Sequence, residues 1–310
     1  MIMAENLRSK LDTVARGNVL WDCPLAPYTS FGIGGPADAL VTVENKEVLA
    51  ELLIFFTDHN LDWRLIGRGS NILVSDAGFA GVVLVFGKGL SAIEDLSDSD
   101  EQEITIRAGA GCSLAKLLNW CVDRGYSGLE FATGIPGSVG GAIVMNAGAM
   151  GTEIAAVVDG VAVMSQAVGS EFLGKEKLNF SYRLWENQGI NDKKRMVLSV
   201  DLHLVRRGKE VIRETCRENL HRRKEKQPKL QKNAGSFFKN PPGDSAGRLI
   251  DASGLKGRCC GGAMVSPVHG NFLVNTGDAT AVDMYQLMDI VTEEVKKDSG
   301  IQLFPEVHFL

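Results

Sequence analysis

Two blocks of this chain, IGRGSNILVSDAGFAG (66–81) and ATGIPGSVGGAIVMNAGAMGTEI (132–154), carry glycine at a density that few folds can use. The chain has 35 glycines in 310 residues, well above the usual share of about 7%. Glycine weakens the interior of a helix or strand but reaches φ > 0 and lets backbone N–H groups approach a ligand closely. Successive N–H groups in such turns form anion-binding nests. The run Gly67, Arg68, Gly69, Ser70 and Asn71 lies between two strands, which suits a diphosphate held by main-chain donors. A lone glycine-rich loop more often marks a tight turn or a bulge. Two such loops, interleaved with Ser and Asn, shift the reading toward a bound phosphate compound. The stretch GIGGPA (32–37) imitates a dinucleotide fingerprint, but no strand precedes it and Pro36 sits inside it, so a Rossmann site is rejected.

The elements around these blocks are short. Residues 37–44 alternate as a strand and 46–60 read as a helix. Residues 63–67, 71–75, 81–86 and 102–110 read as strands. Residues 113–125 read as a helix capped by Ser113 and ended by Gly125. Glycine-rich loops are expected to fill 128–151, and strands return over 155–165 and 196–207. A charged helix over 209–226 ends at Gln227–Pro228. It is followed by a helix from Ser245, a strand pair (AMVSP and NFLVN), a long helix opened by 278–280, and a final strand FPEVHFL. The fold class is therefore α+β, without regular β-α-β repetition. Its expected parts are an N-terminal helix within 1–20, a unit over 21–205 split into about 21–86 and 87–205, and a C-terminal α+β domain over 206–310.

Charge and cysteine content exclude several classes. The formal net charge is −5, and the one basic cluster, HRRKEKQPK (221–229), carries a glutamate inside it, so nucleic acid is a poor partner. The N-terminus has helix-like spacing and no secretion signal, and no apolar run spans a bilayer. Six scattered cysteines without a C-x-x-C pair read as reduced thiols of a cytoplasmic protein. No His/Cys/Asp cluster has metal-ligand spacing, so no metal is expected.

Seven stretches, in order, resemble the UDP-N-acetylenolpyruvoylglucosamine reductase family. They are TSFGIGGPADAL (29–40), GRGSNILVSD (67–76), GLEFATGIPGSVGGAIVMNAGAMGTEI (128–154), FSYR (180–183), NAGSFFKNP (233–241), LIDASGLKG (249–257) and PEVHF (305–309). The resemblance covers nearly the whole chain after residue 20. It implies a two-part FAD-binding unit of the vanillyl-alcohol-oxidase type and a third domain that closes over the substrate. The short stretch LWENQGINDKK between Arg183 and the next strand resembles the shorter second type of the family. The implied chemistry is reduction of an enolpyruvyl ether on a UDP-sugar to a lactyl ether, a step in making peptidoglycan precursors. NADPH would be the hydride donor and FAD, held non-covalently, the relay. The partners implied are NADPH and UDP-N-acetylglucosamine enolpyruvate, acting on a cytoplasmic monomer.

On that resemblance, FAD contacts are expected from Ile66 to Ile72. In the second block they are expected from Thr133, Gly134, Ile135, Pro136, Gly137, Ser138, Gly140, Gly141, Asn146, Ala147 and Gly148. Arg183 would hold the substrate carboxylate, its forked donors matching two oxygens. Glu306 would support the enolate-like intermediate, and Ser236 would protonate the α-carbon. A serine hydroxyl is a weak acid, but a carbanion-like carbon is a very strong base. Phe237 and Phe238 would keep water away from that proton source. Tyr182, Arg223, Lys239, Asn240 and Asn271 would bind the rest of the substrate. Taken alone, Ser236 reads as a turn residue, Glu306 as solvated, and Arg183 as a surface or ion-pair residue. Three departures from the family pattern stand out: Leu184–Trp185 after Arg183, Gly270 where alanine is common, and His308 where arginine is frequent. A flavin oxidase of the same fold acting on another alcohol or sugar, or a binding protein without catalysis, are the competing readings.

Overall fold

The computed structural model describes residues 3–97, 102–186, 195–229 and 231–310. Most of the stretch LWENQGINDKK, residues 187–194, lies outside them. The chain divides into two compact units. The first comprises Met1–Trp21, Ala39–Gly67 and Gly81–His221; the second comprises Asp22–Asp38, Arg68–Ala80 and Arg222–Leu310.

In the first unit, α1 (Glu5–Val14) and α2 (Lys46–Asp58) pack a core that includes Leu11, Leu49, Leu52, Phe56, Val82 and Leu84. Asn45 starts α2 by accepting a hydrogen bond from the Val48 amide at 2.9 Å. A four-stranded sheet takes Val19–Pro24, Pro36–Val43, Phe79–Phe86 and Trp63–Leu65 in that spatial order. The larger sheet orders Gly169–Gly174, Val158–Ser165, Met196–Arg206, Glu103–Gly109 and Ile93–Asp95. Its strands pair antiparallel, and Tyr126–Ser127 adds to Met196–Arg206. The inner positions Ile104, Ile106, Val161, Val163, Val200 and Leu202 are fully buried and form one core with α3 (Leu114–Arg124). The sequence signals for α3 hold at both ends: Ser113 accepts from the Lys116 amide, and Gly125 adopts φ 76 beyond the last turn.

The stretch 128–151 departs from the all-loop expectation. It contains a short helix, α4 (Val139–Val144), capped by Ser138, which accepts from the Gly141 amide at 3.2 Å. Glycine is a poor helix former, but Val139, Ala142 and Ile143 are buried in the sheet core. A Cβ at Gly140 would lie 2.9 Å from the Ala110 Cβ, so the small residue permits the close packing that holds the helix.

The last segment of the second unit begins in α5 (Lys209–Lys226), whose residues 222–226 belong to it. It continues through α6 (Ala246–Ala252) and α7 (Ala281–Ser299). Thr280 and Asp283 form a reciprocal capping box at the start of α7. A four-stranded antiparallel sheet runs Lys232–Asn233, Leu273–Asn275, Ala263–Val265 and Cys259–Cys260. The expected terminal strand is reduced to His308–Phe309, pairing in parallel with Ile72–Leu73, and an isolated bridge joins Phe238 to Pro305. The sequence boundary near 205 therefore does not coincide with the edges of the compact units. The reason is a shared core: Phe31, Ile33 and Leu73 are buried with Phe237, Phe238, Leu249, Met284 and Val307.

Candidate active site

The glycine blocks first. Gly67 approaches Ser138 so closely that a Cβ on Gly67 would lie 2.4 Å from the Ser138 Oγ. Both residues belong to the first unit, so the two blocks meet there. Gly69 has φ 62, and a Cβ there would lie 1.8 Å from the Tyr28 carbonyl oxygen, so only glycine fits. The amides of Gly67, Arg68 and Gly69 donate to no described residue, nor do those of Gly134 and Gly137. Gly134 at φ 74 and Gly137 at φ 136 use conformations that side chains disfavour. Free main-chain donors in glycine turns are what a diphosphate needs.

Other members of the second block stand differently from the expectation. The Val139 and Gly140 amides already donate to Cys112 and Ala110 at 2.8 and 2.9 Å, and the Gly141 amide donates to the Ser138 hydroxyl. Gly140 and Gly141 thus serve packing and capping. The Thr133 hydroxyl donates to the Glu130 carbonyl at 2.8 Å. Asn146 is 1% exposed and its amide is fully engaged. It donates to the Glu153 carboxylate at 2.7 Å and the Ser181 carbonyl at 3.0 Å, and accepts from the Ala155 amide at 3.3 Å. Asn71 donates to the Glu306 carbonyl at 3.0 Å, and its own carbonyl accepts from the His308 amide.

Arg183 sits in a two-residue turn. Phe180–Ser181 pairs with Leu184–Trp185, leaving Tyr182 and Arg183 at the tip. Arg183 has φ 58, left-handed for a residue with a long side chain. That conformation costs roughly 1–2 kcal/mol and persists only where surroundings impose it. The surroundings are a second hairpin, Gly148–Ala149 with Thr152–Glu153, turned by Met150 and Gly151 at φ 55 and 81. Arg183 lies 3.9 Å from the Glu153 carboxylate and donates to the Gly148 carbonyl at 3.5 Å. Its guanidinium stands 4.9 Å from the Tyr182 ring centre, while Tyr182 itself is exposed. Glu153 went unnoticed in the sequence; its one signal there is a carboxylate closing a glycine block. Trp185, where a small or polar residue was expected, is fully buried, and its indole N–H has no partner among the described residues.

Ser236 and Glu306 lie together in the second unit. The Glu306 amide donates to the Phe237 carbonyl at 2.8 Å, and the Lys239 amide donates to the Phe304 carbonyl at 2.9 Å. Phe237 and Phe238 are buried, Phe237 edge-on to Phe31 at 6.2 Å. Ser236 is half-buried and hydrogen-bonds to no described residue. Asn271, expected among the substrate contacts, is 2% exposed. Its side chain accepts from the Phe238 amide and donates to the Phe238 carbonyl, both at 2.8 Å, so it holds the chain beside Ser236. Asn240 accepts from the Ala246 amide at 3.0 Å and caps the entry to α6. Arg223 faces no carboxylate among the described residues, and burial lowers its pKa. Gly270 has a plain reason: a Cβ there would lie 2.7 Å from the Gly247 carbonyl oxygen. His308 is exposed at the paired terminal strand.

Residues 37–171 match the model of an FAD-binding domain. The class is thus a flavin-binding protein, and the α+β reading with a two-part FAD-binding unit of the vanillyl-alcohol-oxidase type and a C-terminal domain stands. Residues 227–310 match the model described as UDP-N-acetylenolpyruvoylglucosamine reductase, C-terminal domain. The chain is 40% identical to the UDP-N-acetylenolpyruvoylglucosamine reductase of Syntrophus aciditrophicus over 98% of its length and 96% of the relative's. It is 38% identical to that of Bacillus subtilis over 95% and 94%. The crystal structure of the Thermus caldophilus reductase superposes with a TM-score of 0.77 at 37% identity, covering 94% of this chain and 97% of that one. The chain belongs to the UDP-N-acetylenolpyruvoylglucosamine reductase family.

Proposed function

We propose that this chain reduces UDP-N-acetylglucosamine enolpyruvate to UDP-N-acetylmuramate with NADPH and non-covalent FAD, a step of peptidoglycan precursor synthesis. The observation that carries the reading is the end-to-end likeness to the reductases, with Arg183, Ser236 and Glu306 all present in their motifs. FAD, when bound, supplies hydride transfer between the nicotinamide and the enol. Within the first unit, the amides of Gly67, Gly134 and Gly137, which donate to no described residue, fit its diphosphate. A proposed FAD-binding unit over 21–205 and a substrate-binding domain over 206–310 follow the same division of labour.

Adding hydride to the substrate's β-carbon leaves charge on the α-carbon and carboxylate, and the protein's task is to stabilise it. Arg183 binds the carboxylate in this reading, exchanging a long 3.9 Å approach to Glu153 for a direct one to the ligand. Ser236 holds its proton on Oγ and delivers it to the α-carbon. Glu306 supports the intermediate from a backbone position fixed to Phe237. Tyr182, Arg223, Lys239 and Asn240 contact the remainder of the substrate; Arg223, half-buried and with no carboxylate beside it among the described residues, favours an anionic group. The enzyme is proposed to act as a monomer in the cytoplasm, without nucleic acid or membrane. No helix among the described residues is long and apolar enough to cross a membrane, and no group of His, Cys, Asp and Glu among them could hold a metal.

The visible spectrum of the purified protein tests this. The expected result is an oxidised flavin band, bleached by NADPH and restored anaerobically by the enolpyruvyl substrate. A colourless protein that takes up no FAD would sink the flavin reading. A band that NADPH bleaches but the enolpyruvyl sugar never restores would favour an oxidase of related fold.

A further inference from the structure

The segment Phe237–Lys239, directly after Ser236, has no regular strand of its own, yet its main chain is fixed residue by residue. On one side Phe237 and Lys239 pair with Glu306 and Phe304. On the other side everything converges on Asn271: its carbonyl accepts from the Phe237 amide at 2.8 Å, and its side chain takes both the amide and the carbonyl of Phe238. Asn271 is in turn held by His269, whose Nδ1 accepts from the Asn271 amide at 3.1 Å. An Nδ1 that accepts must be unprotonated, so the imidazole is neutral with its proton on Nε2.

The surroundings of His269 are built to that ring. Its edge meets Phe272 at 4.8 Å between ring centres. Gly247, inside α6, leaves the ring its place: a Cβ there would lie 2.9 Å from the His269 Cε1. Gly270, between the two residues in question, has no room for a Cβ either. Glycine within a helix costs stability relative to alanine, so Gly247 is explained by what it lets pack against it. The charged groups bearing on the imidazole are Lys256 and Asp251, themselves an ion pair at 2.7 Å. Burial and Lys256 hold the His269 pKa below the ordinary histidine range, while Asp251 works against them.

We propose that His269 is a positioning residue for Ser236, acting through Asn271: its unprotonated Nδ1 fixes the Asn271 backbone, and Asn271 fixes Phe237 and Phe238. The inference rests on the reading of Ser236 as proton donor. Protonating His269 replaces an acceptor with a second donor facing an N–H. The clamp is therefore intact above the His269 pKa and lost as pH falls through it. That loss touches delivery of the proton and leaves hydride arrival from NADPH alone.

Rapid-mixing absorbance of the flavin band, read separately for reduction by NADPH and for reoxidation by UDP-N-acetylglucosamine enolpyruvate, tests it on the FAD-loaded enzyme. His269→Ala should slow reoxidation roughly five- to thirtyfold, the scale of one buried hydrogen bond, and leave reduction and FAD content unchanged. His269→Asn should restore most of the rate, because an asparagine oxygen accepts readily from the amide two residues on. It should also lack the acid-side fall in reoxidation that the wild-type enzyme shows below the ordinary histidine range. Should the alanine variant not fold, His269→Gln, with its acceptor one methylene too far out, is expected to behave as alanine would. Wild-type reoxidation in His269→Ala, no rescue by asparagine, an unchanged pH profile in His269→Asn, or equal slowing of both half-reactions would each overturn the proposal. Ser236→Ala, measured alongside, separates the two readings. Normal reoxidation there removes the donor assignment and this proposal with it. Slow reoxidation there beside a normal His269→Ala removes only the role of His269.

Discussion

Arg183 and Ser236 are held by opposite means. Arg183 stands at the tip of a two-residue turn in a left-handed backbone conformation, with a counter-charge at 3.9 Å and a weak 3.5 Å bond to a carbonyl. Its backbone is strained, and its side chain lies beside the carboxylate of a neighbouring hairpin. Ser236 leads a segment clamped through its main chain by Asn271 and by 304–306, while its own hydroxyl is tied to no described residue. The difference suits the proposed roles. A guanidinium proposed to take up the substrate carboxylate starts beside a carboxylate of its own. A hydroxyl proposed to deliver a proton along one direction gains from a rigid base.

The largest test of this contrast is Ser236→Ala. Removing a general acid costs on the order of a hundredfold to ten-thousandfold. The whole loss should fall on reoxidation of reduced flavin by the enolpyruvyl substrate, and reduction by NADPH should be nearly intact. Cysteine at 236 should recover part of the rate. Equal slowing of both half-reactions in the alanine variant would show that Ser236 organises the site in general.

Arg183→Ala comes next. One desolvated, charge-assisted hydrogen bond lost gives a fall of roughly ten- to a hundredfold in turnover, with FAD content unchanged. Isolation of an apo-protein would instead make Arg183 a structural residue whose turn holds the flavin unit together.

The smallest effect concerns the anchor of that turn. Trp185 buries its indole completely but leaves the N–H without a partner among the described residues. A buried donor left unsatisfied costs about 1–3 kcal/mol, which the deleted ring area offsets in part. Trp185→Phe should therefore leave stability unchanged or raise it by up to about 1 kcal/mol, read by urea unfolding of the FAD-loaded protein. A loss of more than about 2 kcal/mol would mean that the indole N–H or its volume is needed.

Helices with a cap and an apolar stripe were plain in the sequence. Ser113 and Gly125 bound α3, Ser245 opens α6, and Thr280 opens α7 with Asp283 as its reciprocal partner. The helix α4 was not, because Gly140 and Gly141 argue locally for a loop and only burial against Ala110 and the sheet makes the helix form. In the candidate site, motif likeness picked out Arg183, Ser236 and Glu306 but said little of how each is held. Asn146 and Asn271 looked like ligand-facing amides. Each is buried and fully engaged with protein groups, which depends on backbone neighbours 35 or 33 residues away in sequence. Nothing in the sequence marks His269 as a positioning residue, because the notch at Gly247 that receives it comes from another element.

The order of segments along the chain has a consequence for synthesis. Residues 22–38 and 68–80 leave the ribosome early, yet they belong to a unit completed only by 222–310. The Asn71 side chain waits for a carbonyl 235 residues further on, and Ile72–Leu73 waits for His308–Phe309 to pair beside it. Contacts so distant in sequence form slowly, because loop closure must precede any gain from pairing. The buried faces of Phe31, Ile33 and Leu73 thus remain open through most of translation. During that interval the apolar surface of those two early segments is where the nascent chain is most open to misassociation.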